Sequence, residues 1–138
     1  MVNPTHRSAW CGLLMLGLVG GCAASHAQHA GTPVMNTARP QIELLGFPGC
    51  PNTPTMRDNL RAALASIGAG WSFVDTDQEQ LPVGDMRRGY PTPTVLVNGR
   101  DLFGLPVPTA PSMGCRTYPG GVPSASDIAD RVKAATAD

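Results

Sequence analysis

The sequence predicts an α/β fold in which a small mixed β-sheet is flanked by helices, in the element order β-α-β-(α)-β-β-α. Short apolar runs, which are typical of buried strands, alternate with segments whose apolar residues recur at helical spacing. Glycine, proline and Asn-Gly signals separate these segments. The regular part of the chain, residues 41–137, is long enough for one small domain.

The first half of this domain is expected to form a strand–helix–strand unit. Ile42–Phe47 is an apolar run that only Glu43 interrupts, and it is expected to be a strand. A second strand is expected at residues 71–75, and a short helix within residues 77–88. Five apolar residues at helical spacing form one face of the intervening helix. They are Met56, Leu60, Ala63, Leu64 and Ile67.

The second half is expected to contain two further strands. The first is Thr94–Val97, which Asn98-Gly99 closes with a strong turn signal. Residues 102–113 are rich in proline and glycine and predict an irregular insertion. The fourth strand is expected at Arg116–Tyr118.

A last helix is expected after residue 124. Ser124 is a suitable N-cap, with Asp127 three residues further on. Ile128, Val132 and Ala135 lie at the spacing of a buried helical stripe.

Residues 1–21 are predicted to be a signal peptide of the lipoprotein type. The apolar run Ala9–Val19 has the length of a signal-peptide core and is too short to span a membrane. Val19-Gly20-Gly21-Cys22 resembles the lipobox of bacterial lipoproteins, which implies lipidation of Cys22. The alternative is ordinary cleavage after Ser25-His26-Ala27. The expected location is the bacterial cell envelope, lipid-anchored and facing the periplasm, or soluble periplasmic or secreted under the alternative.

Residues 22–40 lack periodicity and predict a flexible tether. Removal of residues 1–21 leaves nine basic against ten acidic residues, without a basic patch or charge run. Nucleic-acid binding therefore has no electrostatic support. No metal-ligand set is apparent, and no cofactor is expected. The membrane is expected as a partner only through the lipid anchor.

Cys50 is the candidate for chemistry because it lies between the first strand and the first helix. A helix N-terminus offers free N–H groups and a positive dipole end, which stabilise a thiolate. The Thr53 hydroxyl, one turn on, is expected to add to this stabilisation. The motif Cys-x-x-Thr has no second cysteine.

With Thr92-Pro93 before the third strand and Gly120-Gly121 before the last helix, residues 41–137 resemble the thioredoxin-like superfamily. The resemblance implies a thioredoxin-like mixed sheet and a cis peptide bond before Pro93, with Pro91 as the alternative. It also implies that the Thr92 backbone bonds an extended peptide or thiol substrate, next to the catalytic Cys50.

A closer resemblance is to small bacterial thioredoxin-like proteins, some of which are associated with alkylmercury lyase. Gly49-Cys50-Pro51-Asn52 and residues 93–101 carry the first likeness. Cys115-Arg116-Thr117-Tyr118 is similar to a segment of the lyase. This implies an alternative function, the handling of heavy metals or organomercurials by Cys50 and Cys115.

The expected activity is monothiol thiol–disulfide exchange through Cys50, with a protein or small thiol or disulfide as partner. Cys115 is a candidate second thiol, and a pair with Cys50 is open. The direction of the expected last strand places Cys115 about 15 Å from the active-site end, which is too far for a disulfide. An outside thiol would then resolve the mixed disulfide. A third hypothesis is a catalytically inactive binding module.

Overall fold

The computed structural model describes residues 39–137, which form a mixed α/β fold with one four-stranded sheet and two α-helices. The predicted signal peptide, most of the tether and the lipidation candidate Cys22 lie outside the described residues. No helix in the described part of the chain is long and apolar enough to cross a membrane.

The strands lie in the spatial order β2-β1-β3-β4. Strand β1 pairs in parallel with β2 and antiparallel with β3, which in turn pairs antiparallel with β4. The bounds of the strands are β1 Ile42–Gly46, β2 Val74–Asp77, β3 Thr94–Val97 and β4 Arg100–Asp101. The sequence predicted β1 and β3 closely.

Strand β2 begins three residues later than predicted. Its partner β1 contains five residues, and the parallel register from Glu43↔Val74 to Gly46↔Asp77 limits the strand to residues 74–77. Trp71 and Phe73, which suggested the earlier start, instead pack against the core from the preceding loop.

The prediction of a fourth strand at Arg116–Tyr118 is wrong. The chain turns at Asn98 and Gly99, both with positive φ, and β4 follows at once. This is the short hairpin that an Asn-Gly pair favours. Residues 102–113 contain no helix or strand, as predicted.

The helices are α1, Asn52–Ile67, and α2, Ala125–Ala135. Ser124 caps α2 in a reciprocal capping box with Asp127, which confirms the predicted N-cap. Ala135 is exposed, so the buried stripe of α2 is shorter than expected. In place of the predicted short helix, the chain forms two 3₁₀ turns, Gln78–Gln80 and Met86–Gly89.

Both helices pack on one face of the sheet. Successive side chains of a strand point to opposite faces, so alternate residues of β1 contact the helices. Ile42 and Leu44 of β1 join the helices in the larger core. Leu45 of β1 points to the other face, where Tyr90 and Leu105 cover it without a helix. The buried residues of the larger core are Ile42, Leu44, Met56, Leu60, Ala63, Leu64, Val95, Val97, Tyr118, Ile128, Ala129 and Val132.

Candidate functional site

Cys50 lies in the turn between β1 and α1, as the sequence predicted. The Cys50 N–H donates to the Phe47 carbonyl over 3.1 Å, which closes the turn. The residue before α1 is Pro51, and no side chain caps the helix. The first N–H groups of α1 are therefore free of a side-chain acceptor. The Thr53 N–H donates to the Cys50 carbonyl over 3.2 Å, and the N–H groups of Asn52 and Thr53 together lower the pKa of the Cys50 thiol.

Gly46 allows α1 to approach the end of β1 closely. A Cβ atom at this position would lie 2.5 Å from Cγ2 of Thr53. This close approach buries Thr53, which is 4% exposed, beside the cysteine. In the neutral thiol state the Thr53 hydroxyl has no hydrogen bond of ordinary geometry. A Cys50 thiolate gives it an acceptor.

The pKa of Cys50 lies below its ordinary value. Burial alone raises the pKa of this thiol, which is 2% exposed. Hydrogen bonds from the Cys115 thiol, from the N–H groups of Asn52 and Thr53 and from the Thr53 hydroxyl outweigh the burial. The neutral Cys50 thiol donates to the Thr92 carbonyl over 3.2 Å.

Cys115 lies beside Cys50, because it pairs with Thr92, whose carbonyl oxygen is 3.2 Å from the Cys50 sulfur, so the expected separation of about 15 Å was wrong. That separation assumed a strand running back from Arg116. Instead, the insertion returns along the sheet, and Cys115 forms an isolated parallel bridge with Thr92. Both cysteines are free thiols, Cys50 buried and Cys115 exposed. The hydrogen bond to Cys50 raises the pKa of Cys115.

The Thr92–Pro93 peptide bond is cis, which confirms Pro93 over Pro91. Thr92 is fully buried. Its N–H donates to the Gly114 carbonyl and its carbonyl accepts from the Arg116 N–H, each over 2.7 Å. This differs from the expectation that Thr92 bonds a substrate strand, because the chain's own segment Gly114–Arg116 occupies both backbone groups.

A buried ion pair holds this segment in place. Arg116 is 8% exposed, and its guanidinium bonds both carboxylate oxygens of Asp101, over 2.7 and 3.2 Å. It also donates to the Thr94 hydroxyl and lies 4.4 Å from the centre of the Tyr118 ring. The Tyr118 hydroxyl donates to the Pro93 carbonyl over 2.7 Å.

The sequence analysis did not identify Asp101 and Arg116 as a buried pair. Charged residues are mostly exposed, so a buried pair fifteen positions apart has no clear local signal. The Cys-Arg dipeptide in a proline-rich insertion was the one available hint.

The two thiols open onto different cavities. A groove of about 810 Å³ lies beside Cys115 and runs along Tyr118 to the start of α2 at Ser124. A smaller cavity of about 300 Å³ lies beside Cys50 and Thr53. No lining residue is common to both. Cys115 is therefore accessible from the larger groove, whereas Cys50 is enclosed beside the smaller cavity.

Within residues 39–137, no group of three or more His, Cys, Asp or Glu side chains is placed to hold a metal ion. No family model, curated protein or solved structure matches this chain. The two thiols and their surroundings are therefore the basis on which a function is assigned.

Proposed function

We propose that this protein is a thioredoxin-like thiol–disulfide oxidoreductase that uses Cys50 and Cys115 as its redox pair. The proximity of the two cysteines carries this proposal, because Cys115 pairs with Thr92, whose carbonyl accepts a hydrogen bond from the Cys50 thiol. It replaces the monothiol hypothesis, since the chain supplies the second thiol that Cys-x-x-Thr lacks. The sheet order, Cys50 before α1 and the cis bond at Pro93 support the thioredoxin-like assignment. With the predicted export signal, the proposed location is the bacterial envelope, through a lipid anchor at Cys22.

The two cysteines have different roles in the proposed exchange. In the oxidised protein a substrate thiolate attacks Cys115, whose side chain is exposed, while Cys50 is buried. The bond between Cys115 and Cys50 breaks, and Cys50 leaves as the thiolate. Hydrogen bonds from α1 and Thr53 stabilise this leaving group, and a leaving thiol of low pKa departs faster.

The second half of the exchange completes the balance. The second thiolate of the same substrate attacks the substrate sulfur that is bonded to Cys115. This attack releases the Cys115 thiolate. The substrate dithiol is thereby oxidised to a disulfide and the Cys50–Cys115 disulfide is reduced to two thiols. Two protons pass from the substrate dithiol to the protein.

This proposal is tested by single-turnover reduction of the oxidised protein with a dithiol peptide. The wild type should form and lose an internal disulfide, and mass spectrometry should locate it between Cys50 and Cys115. Cys50→Ser and Cys115→Ser cannot form the internal disulfide, so neither variant should oxidise the dithiol peptide. If each single-cysteine variant turns over at the wild-type rate, the redox pair is refuted.

A second candidate function is the binding of a soft metal ion, such as Hg²⁺ or Cu⁺. The same proximity favours it, because thiolates are the ligands that soft ions prefer and two-thiolate coordination needs adjacent sulfurs. Titration with Hg²⁺ should show a lower affinity for Cys115→Ser than for the wild type. An unchanged affinity in the variant would exclude binding by the pair.

A further inference from the structure

The larger groove, which we call the Cys115 groove, connects the exposed thiol with the last helix. Its volume is about 810 Å³, and its lining includes Cys115, Tyr118 and Arg131. Cavities of this size hold ligands much larger than a single thiol group. The groove therefore has room for several residues of a peptide whose cysteine reacts with Cys115.

One wall of the groove is a backbone edge without a partner strand. Gly114 and Arg116 bond the backbone of Thr92 on one side of their segment. Because the backbone groups of successive residues in an extended segment point to opposite sides, the N–H and carbonyl of Cys115 point away from Thr92. Neither group has a hydrogen-bond partner within residues 39–137. Such an edge can bind an extended peptide through its main chain.

Two aromatic rings form an apolar surface in the same groove. The rings of Phe103 and Tyr118 lie edge to face, with their centroids 5.4 Å apart, and both residues line the groove. The hydroxyl of Tyr118 donates to the Pro93 carbonyl, which fixes the ring. A peptide that packs on these rings contacts a surface that is already ordered, so little conformational entropy is lost on the protein side.

Among the residues that line the groove, Arg131 is the cation without an ion-pair partner. It is exposed, and its guanidinium lies 4.9 Å from the centre of the Phe103 ring. The carboxylate of Asp127, one turn earlier in α2, accepts from the hydroxyl and N–H of Ser124 and forms no ion pair with Arg131. The other lining arginine, Arg116, is buried in its pair with the β4 carboxylate. The groove therefore presents a positive charge to its ligand.

We propose that the Cys115 groove selects an extended peptide with an acidic side chain near its reactive cysteine, and that Arg131 is the residue that selects it. This proposal rests on the Cys50–Cys115 pair of the proposed function and names its substrate class. The peptide pairs along the Cys115 edge, packs on the two rings and places its carboxylate on Arg131. The chemical steps are unchanged, since the substrate dithiol is oxidised and the internal disulfide is reduced.

The experiment compares the rates at which two dithiol peptides reduce the oxidised full chain. The peptides are identical except that glutamate residues on both sides of the cysteines in one are glutamine in the other. Each rate constant is divided by that of the same peptide with hydroxyethyl disulfide, an uncharged reference that corrects for the effect of the glutamates on the peptide thiols.

After this correction, the glutamate peptide should react about fivefold faster at low salt, which an exposed ion pair can supply. The preference should shrink at high salt, because dissolved ions screen exposed charges. Equal corrected rate constants for the two peptides would overturn the proposal.

Variants of α2 assign the preference to one residue. Arg131→Gln should abolish the preference without slowing the glutamine peptide, whereas Arg131→Lys, which keeps the charge, should retain part of it. Lys133→Gln is the matched control, because it removes an exposed positive charge from the same helix outside the groove lining. An undiminished preference in Arg131→Gln, or an equal loss in Lys133→Gln, would contradict the role of Arg131.

Reduced glutathione distinguishes a peptide from a small thiol that also carries carboxylates. At the same thiol concentration and with the same correction, it should react more slowly than the glutamate peptide, because it is too short to pair along the edge and cover both rings. A glutathione rate that equals the peptide rate and depends on Arg131 would overturn the assignment of a peptide.

The outcomes also separate this proposal from the one on which it rests. If both peptides reduce the internal disulfide at equal corrected rates, selection by Arg131 fails and the redox pair stands. If neither peptide reduces it, or if the disulfide never forms, both proposals fail.

Discussion

At the residue scale, one interaction shifts the pKa values of two thiols in opposite directions. When Cys50 is a thiolate, a hydrogen bond from the Cys115 thiol stabilises that thiolate and with it the protonated form of Cys115. The pKa of Cys50 falls and that of Cys115 rises. When the pair loses its first proton, the negative charge therefore lies mainly on the buried sulfur, while the neutral thiol faces the groove.

The reciprocal nature of this bond gives the first prediction. Cys115→Ala should raise the Cys50 pKa towards that of an ordinary thiol, because the Cys50 thiolate loses a donor. Cys50→Ala should lower the Cys115 pKa, because Cys115 loses its thiolate acceptor. The measurement is the alkylation rate of the remaining cysteine as a function of pH. Midpoints that match those of the wild type would show that the sulfurs do not interact.

At the element scale, the buried pair Asp101–Arg116 connects the β3–β4 hairpin to the segment that carries Cys115. Asp101 also accepts the N–H groups of Phe103 and Leu105, over 3.0 and 2.8 Å. One carboxylate thus fixes the start of the insertion and, through Arg116, its end. The position of Cys115 depends on this pair together with the two backbone hydrogen bonds of Thr92.

Arg116→Met should lower the free energy of unfolding by about 3–5 kcal/mol, because it leaves the Asp101 carboxylate buried without a partner. It should also slow formation of the Cys50–Cys115 disulfide, which loss of stability alone does not require. The control Arg100→Met changes an exposed arginine of β4 and should change stability by at most about 0.5 kcal/mol.

If Arg116→Met destabilises no more than Arg100→Met, the pair does not hold the segment. Because Arg116→Met alone leaves a buried charge, the double variant Arg116→Met with Asp101→Leu should recover part of the stability. Urea unfolding of the wild type, the two single variants and the double variant measures these differences in the free energy of unfolding.

The capping box of α2 gives a separate prediction. Ser124→Ala should reduce stability by about 1 kcal/mol, because Ser124 accepts the N–H of Asp127 at the first turn. Ser72→Ala, at an exposed loop position, serves as control in the same thermal or urea unfolding measurement. Equal losses in both variants would count against the cap.

Elements with local signals were predictable from the sequence, and those set by long-range contacts were not. The Asn98-Gly99 turn and the Ser124 cap depend on neighbouring residues and appear where predicted. The position of Cys115 depends on Asp101 and Arg116, whose contact crosses the sheet and leaves no periodic pattern. Cys50 was identified as the candidate for chemistry, but Cys115 was placed too far from it for this reason.

At the scale of the whole molecule, the two faces of the sheet are stabilised differently. Helices cover one face, whereas polar groups and irregular segments cover much of the other. Glu43 of β1 is buried there and accepts from the Thr76 hydroxyl and from Arg87, over 2.6 and 2.9 Å. Arg87 also bonds Asp85, so this network joins the central strand to a 3₁₀ turn.

Stability should therefore fall in acid. The hydrogen bonds from the Arg87 side chain and N–H lower the pKa of Asp85 to about 2, from an ordinary value of 3.8. A lowered folded-state pKa means that the stabilisation is complete above pH 3.8 and is lost as the pH falls towards 2.

Urea unfolding between pH 5 and about 2 measures this loss. Asp85→Asn should remove part of the pH dependence, whereas Asp58→Asn, at a side chain that is 74% exposed, should leave it nearly unchanged. The same pH slope in wild type and Asp85→Asn would contradict the assignment.

The bridge between Thr92 and Cys115 makes Cys50 a tethered competitor. An outside thiol that resolves a mixed disulfide at Cys115 competes with the Cys50 sulfur, which the fold already holds beside it. Tethering raises the effective concentration of such a group to about the millimolar range even with a flexible linker. The internal disulfide therefore forms before a dilute external thiol arrives, and the substrate is released rather than kept as an adduct on Cys115.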